Sequence, residues 1–131
     1  MKKGNILIVD DDEYYLQLVE IIVDQAGVKA HYATNGKEAV AILKQGDFST
    51  MITDLNMPGM DGYELAMIAR EQFPDIYIVM ITGDISLDVS CRAAEAGVSK
   101  VIAKPVRPAQ IRRIVKNRAV AAALPENGNI Q

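Results

Sequence analysis

Four apolar runs punctuate the chain, and each ends in a polar residue. Ile6-Leu7-Ile8-Val9 leads into Asp10-Asp11, and Met51-Ile52-Thr53 leads into Asp54. Ile78-Val79-Met80-Ile81 leads into Thr82, and Val101-Ile102-Ala103 leads into Lys104. Continuous apolar runs of this kind suit strands covered on both faces. Between them the hydrophobic period lengthens to that of a helix. Leu16, Val19, Val23 and Ala26 share one face of a helix that follows the acidic run and stops at Gly27. Further helices are predicted over residues 37–45, stopped by Gly46, and over 63–73, with Leu65, Ile68, Ala69 and Phe73 inward and Pro74 beyond. A fourth spans 86–96 and is closed by Gly97; the last runs from Arg107 to about Leu124, with Ile111, Ile114, Val115, Ala119 and Ala122 at core spacing. Residues 28–32 form a short, mixed, outer strand, and 76–81, the most apolar strand, is expected at the centre.

Five strands alternating with five helices predict an α/β fold with a parallel sheet. Right-handed crossovers leave few topologies. The weak second strand suits an edge, which favours the flavodoxin-like, doubly wound (βα)5 order 2-1-3-4-5. In such sheets ligands sit outside the carboxyl ends of the strands, at the switch point between the first and third. Asp10, Asp11 and Asp54 fall there, with Thr82 and Lys104 bordering from the fourth and fifth strands. At 131 residues the chain is one domain. Residues 1–124 form it, and 125–131 read as a tail or the start of a linker.

Composition narrows the function classes. A net charge of -3 argues against general nucleic-acid affinity, so no nucleic-acid partner is expected. One cysteine, Cys91, excludes an internal disulfide and a cysteine metal cluster. No apolar run is long enough to span a bilayer, and the stretch after Lys2-Lys3 stops at Asp10, too soon for a signal-peptide core. The expected location is cytoplasmic, with no membrane partner.

Three carboxylates in one pocket raise one another's pKa unless cations are present. Lys104 offsets one charge, and a divalent ion offsets two more. Oxygen-only ligands favour a hard ion such as Mg²⁺, with Mn²⁺ as a second possibility, and the lack of His or Cys at these strand ends speaks against zinc. A carboxylate, an ammonium, a hydroxyl and Mg²⁺ together suit phosphoryl transfer, which depends on positioning and charge stabilisation. Carboxylates serve as phosphoryl acceptors. Asp54, central between the acidic pair and Thr82 and Lys104, is the expected acceptor.

Ile-Val-Asp10-Asp11, Asp54-Leu-Asn-Met-Pro-Gly-Met-Asp-Gly, Ile-Thr82-Gly and Lys104-Pro105 resemble the motifs of receiver domains of two-component response regulators. The resemblance covers residues 5 to about 123. It implies that Asp54 takes a phosphoryl group from the phosphohistidine of a sensor histidine kinase or histidine phosphotransfer protein. It also implies that Asp11 and Asp54 ligate Mg²⁺, that Asp10 helps through water, and that the Asn56 backbone carbonyl completes the protein ligands. Lys104 would contact the phosphoryl group, and its bond to Pro105 would be cis. Thr82 would hydrogen-bond the group and report its arrival to an output domain or target protein through the face of helix 4, strand 5 and helix 5. Many receivers carry Tyr or Phe three residues before the Lys; here Val101 stands there, with a stiff χ1 and no ring to swing.

Plainer roles fit the other polar residues. Asp12 and Asp61 are expected as helix caps. His31, the single histidine, is a surface residue of the edge strand and no phosphoryl donor. Cys91 is a small helix-face residue. Arg107, Arg112, Arg113, Lys116 and Arg118 read as a solvated basic face.

Two other functions compete with the switch. One is a Mg²⁺-dependent phosphatase working through an aspartyl phosphate. Asn56 stands where such hydrolases carry a second Asp and cannot serve as its acid/base. The other is an interaction module that is not phosphorylated, against which the intact set of site residues argues. Asn56 and Asp84 flank the expected path of water to the phosphorus, and in the family polar residues there go with faster loss of the phosphoryl group. Asp84→Leu is therefore expected to prolong the phosphorylated state, measured as decay of the adduct mass; an unchanged or shorter lifetime contradicts a role for Asp84.

Overall fold

The computed structural model describes residues 4–123. The predicted tail and linker lie outside the described residues. Five strands, β1 (Asn5–Val9), β2 (His31–Ala33), β3 (Phe48–Asp54), β4 (Tyr77–Thr82) and β5 (Lys100–Ala103), form one sheet in the order β2-β1-β3-β4-β5. All pairings are parallel. The helices between and after them are α1 (Glu13–Gln25), α2 (Gly36–Leu43), α3 (Gly62–Gln72), α4 (Leu87–Glu95) and α5 (Pro108–Ala123).

The strand period of two explains the layers. Ile6 and Ile8 of β1 join Ile52 and Val79 beneath α1 and α5, against Leu16, Val19, Ile22, Val23, Ile111 and Val115. Leu7 and Val9 point the other way, with Met51, Ile78 and Met80, onto α2, α3 and α4. Both faces of the interior strands are covered, which is why their sequences are continuously apolar rather than alternating.

Local chemistry starts and stops the helices. Asp12, Asn35, Asp61 and Ser86 are N-caps whose side chains accept backbone N–H groups, and Asp61 with Glu64 completes a capping box. Each such cap contributes about 1 kcal/mol. Gly27 follows α1 at φ +76°, a left-handed conformation that a side chain disfavours. By contrast α2 ends at Leu43, before the Gly46 expected to stop it.

Four expectations need correction. The middle strand is β3, not β4: all seven of its residues are buried. It also begins at Phe48, three residues before the apolar run, because Thr50 pairs with both Ile6 and Tyr77. The edge strand β2 starts at His31 rather than residue 28, since its pairing reaches only Leu7, Ile8 and Val9. Finally, Arg118 is not simply solvated. Its Nε donates to the Oγ1 of fully buried Thr50 at 3.0 Å, and its guanidinium stacks 4.1 Å over the Tyr77 ring. The arginine supplies the partner that a buried hydroxyl requires.

Gly62 sits where α3 meets the end of β3. Its N–H donates to Leu55 O at 2.8 Å, and a Cβ there would lie 2.6 Å from Asp54 O and 2.9 Å from Leu55 Cα. Both obstacles are backbone and cannot rotate away. Gly62→Ala is expected to destabilise the fold by about 1–3 kcal/mol, as overpacking does. Chemical denaturation tests this; a midpoint equal to the wild-type value would contradict the close approach.

Candidate functional site

The sheet ladder runs past the strand ends and holds the polar residues in place. Asp10 N–H donates to Ala33 O at 3.1 Å, Leu55 N–H to Ile81 O at 3.1 Å, and Lys104 N–H to Thr82 O at 2.9 Å. Asp54 is therefore not on a loose loop. It is the last residue of the middle strand and 4% exposed. A buried carboxylate needs partners. Its Oδ1 has two: Lys104 Nζ at 2.9 Å and the Leu55 N–H at 3.1 Å. The Lys104-Pro105 bond is cis.

The acidic run divides its labour. Asp12 Oδ1 accepts the Tyr15 N–H at 3.1 Å and caps α1. Asp10 is half-buried and accepts the Asp12 N–H at 2.9 Å. Asp11 is exposed. One carboxylate oxygen each of Asp10, Asp11 and Asp54 lie within 4.8 Å of one another. These residues, with Asp12, Tyr15, Asn56, Ile81, Lys104, Pro105 and Val106, line an open cleft of about 580 Å³. Burial pushes the Asp10 carboxyl up to about 6; the Asp12 N–H pulls it back, and the charge of Asp54 pushes it up again. Burial lowers Lys104, but the hydrogen bond and charge of Asp54, with Asp10 and Asp11 behind it, hold it above its ordinary value.

Thr82 is fully buried at the end of β4. Its Oγ1 accepts the Asp84 N–H at 3.1 Å, Asp84 Oδ1 accepts the Ser86 N–H at 3.0 Å, and Ser86 Oγ accepts the Val89 N–H at 3.3 Å. That series ties Thr82 to the first turn of α4. Val101 is half-buried and packs against the core on the α2–α4 side. Asn56 and Asp84 are exposed. His31 is exposed on the edge strand, Cys91 is exposed on α4, and Asp61 caps α3, as their sequence contexts suggested. Tyr15, which carries no motif signature, is the cleft residue that pattern reasoning missed. It stands at a helical position three residues beyond a cap, which marks it as ordinary until the fold turns it toward the strand ends.

Comparison with known proteins supplies the class. The response regulator receiver domain family matches residues 6–116. The chain is similar to chemotaxis protein CheY-3 of Vibrio cholerae, at 35% identity over 114 residues covering 85% of this chain and 88% of the relative. It is also similar to response regulator protein PilR of Pseudomonas aeruginosa, at 31% identity, covering 88% of this chain and 26% of that protein. A CheY-like receiver domain structure from Methanospirillum hungatei matches with a TM-score of 0.82 at 30% identity, covering 91% of this chain and 95% of the other. Vibrio cholerae CheY4 matches with a TM-score of 0.81 at 28% identity, covering 87% and 97%.

With these strand ends and these relatives, the chain belongs to the response regulator receiver domain family. It is a receiver of two-component signalling, a switch rather than a classical enzyme. Receivers accept phosphoryl groups from histidine kinases, relate to output domains and generally bind Mg²⁺ at an acidic pocket. Among the described residues, no helix is long and apolar enough to cross a membrane.

The raised Asp10 carboxyl has a consequence in metal-free protein. The folded chain holds this proton to about pH 6, whereas the unfolded chain releases it near 3.8. The associated stability is complete below about pH 4 and is lost as pH rises through about 6. In chelator, Asp10→Asn is therefore expected to melt above wild type at pH 7, with the gap closing toward pH 4. Melting curves at the two pH values check this; an equal gap at both contradicts the sign.

Proposed function

We propose that Asp54 is the phosphoryl acceptor in a Mg²⁺-dependent transfer from a partner's phosphohistidine, and that the adduct changes the binding surface of this chain. The observation that carries the reading is the Asp54–Lys104 pair, 2.9 Å apart, at the end of the middle strand and beside two further carboxylates. The donor set suits a hard cation: it is all oxygen, and the elevated Asp10 records crowding and burial that a cation would relieve. Asp11 and Asp54 would hold Mg²⁺ directly, Asp10 through water, and the Asn56 backbone carbonyl would complete the set; Mn²⁺ suits the same donors. When bound, the ion neutralises charge on the phosphoryl oxygens.

The chain's own residues supply the rest. Lys104 and the Leu55 N–H both hold Oδ1, which orients the Asp54 carboxylate and leaves its other oxygen for attack. The new P–O bond forms on that oxygen as the P–N bond to the donor imidazole breaks. Lys104 then pairs with the phosphoryl oxygens. Water must approach in line to reverse the reaction, and Asn56 and Asp84 flank that approach.

For the switch, an added phosphoryl group brings charge and strong acceptors within reach of the Thr82 hydroxyl. Any shift of Thr82 pulls on Asp84, Ser86 and the start of α4 through the hydrogen bonds given above. Val101 has no ring to follow it, so the two states differ in backbone and helix position. The output surface would be the face of α4, β5 and α5, where Leu87 is 79% exposed. A kinase or phosphotransfer partner and a cytoplasmic location accord with this reading.

Incubation with Mg²⁺ and a small acyl phosphate, followed by intact mass, tests it. A single phosphoryl adduct is expected, absent in Asp54→Asn and in chelator. Steady hydrolysis of diverse phosphomonoesters would instead indicate a phosphatase, and no adduct an unphosphorylated interaction module. Lys104→Ala is expected to impair the response while leaving Mg²⁺ affinity undiminished, since removing a nearby positive charge cannot weaken cation binding electrostatically. Titration of the folded variant checks this second point; a clear loss of affinity contradicts the role given to Lys104.

A further inference from the structure

The acceptor cleft has a tyrosine that no motif accounts for. Tyr15 lines it beside Asp10, Asp54 and Lys104. The first turn of α1 anchors the residue to the acidic loop: the Tyr15 N–H donates to Asp12 Oδ1 at 3.1 Å, and the Asp12 N–H to Asp10 Oδ1 at 2.9 Å. Tyr15 also lines a small void of about 20 Å³ that shares Asp10, Asp54 and Ile81 with the cleft and is otherwise walled largely by Ile8, Ile52 and Ile111. A phenol hydroxyl turned into aliphatic side chains would forfeit its hydrogen bond, at a cost of about 1–3 kcal/mol. The cleft offers polar partners instead. Burial chiefly makes the phenol less acidic, and the charges of Asp10 and Asp54 act the same way against Lys104. The group therefore stays protonated at neutral pH and is available as a donor.

We propose that Tyr15 is a phosphoryl-binding residue of this site, its hydroxyl donating to an oxygen of the group carried by Asp54. The inference rests on Asp54 being the acceptor. The phosphoryl group brings strong acceptor oxygens, and the lining gives them Lys104 from the β5 side and Tyr15 from the α1 side. In that role the hydroxyl would face the anion and the ring the apolar side chains beside it. The site thus carries a donor of its own besides the motif residues, on a side chain that is rigid beyond two torsions.

Binding of beryllofluoride, a phosphoryl mimic, in the presence of Mg²⁺ tests the assignment on the full chain. Wild type is expected to bind, and Tyr15→Phe to bind about tenfold more weakly, as loss of one hydrogen bond to a charged acceptor implies. The variant should keep the wild-type melting temperature and Mg²⁺ affinity. Tyr15→Leu should bind no more tightly than Tyr15→Phe. If Tyr15→Phe binds like wild type, the hydroxyl has no such role and the proposal falls, whether or not Tyr15→Leu is weakened. If wild type itself fails to bind beryllofluoride, the acceptor assignment of Asp54 falls first, a separate result. Should Tyr15→Phe fail to fold, site-specific replacement of Tyr15 by 3-fluorotyrosine decides. Its more acidic phenol is a stronger donor, so tighter binding supports the proposal and unchanged affinity overturns it.

Discussion

A carboxylate at the end of a buried strand cannot stand alone, and Asp54 does not. Its ion pair with Lys104 joins the middle strand to the loop after the edge strand β5, across the whole of β4. The pair depends on backbone bonds at both ends: Leu55 N–H to Ile81 O, and Lys104 N–H to Thr82 O. With Lys104 partly exposed, the pair's value lies in orientation more than in stability, since solvent screens it. It holds one oxygen of Asp54 in a fixed orientation.

The surrounding charges are arranged at some cost to the fold. Three carboxylates within 4.8 Å repel one another, and Lys104 answers only part of the excess. Asp10 bears the clearest sign, a carboxyl pushed up to about 6 first by burial and then by its neighbour. None of the three caps a helix; in the acidic run that task falls to Asp12. Perturbed titratable groups at a cleft mark a candidate functional site.

Thr82 is tethered to the turn that follows β4. Its hydroxyl oxygen takes the Asp84 N–H, so the residue that would sense a phosphoryl group is also the one that holds the turn into α4. Ser86 then serves two tasks, capping α4 and continuing the connection from Asp84. Aromatic packing lies on the neighbouring helix instead of β5: Tyr63 of α3 is buried, with Arg92 of α4 stacked 4.4 Å over its ring. Val101 fills the β5 position with a branched aliphatic side chain.

Much of this was legible in the linear chain, because parallel strands covered on both faces must be continuously apolar and must end together at one edge. That rule alone brought Asp10, Asp11, Asp54 and Lys104 to one cleft and Thr82 to the end of the adjacent strand, and side-chain caps at Asp12 and Asp61 follow from local hydrogen bonding. Tertiary structure decided what local pattern cannot express. Ser49 and Thr50 hide the start of β3, since polar residues enter a central strand only when partners such as Asn5 and Arg118 reach them from distant segments. Arg118 looked solvated because helical spacing says nothing of Tyr77 and Thr50, which approach it from the sheet. Tyr15 is ordinary by periodicity and becomes a wall of the cleft only when α1 docks beside the β5–α5 loop. Period and turn chemistry act over a few residues and are written in the sequence; the pairing of a buried polar group is a property of what the fold brings to it.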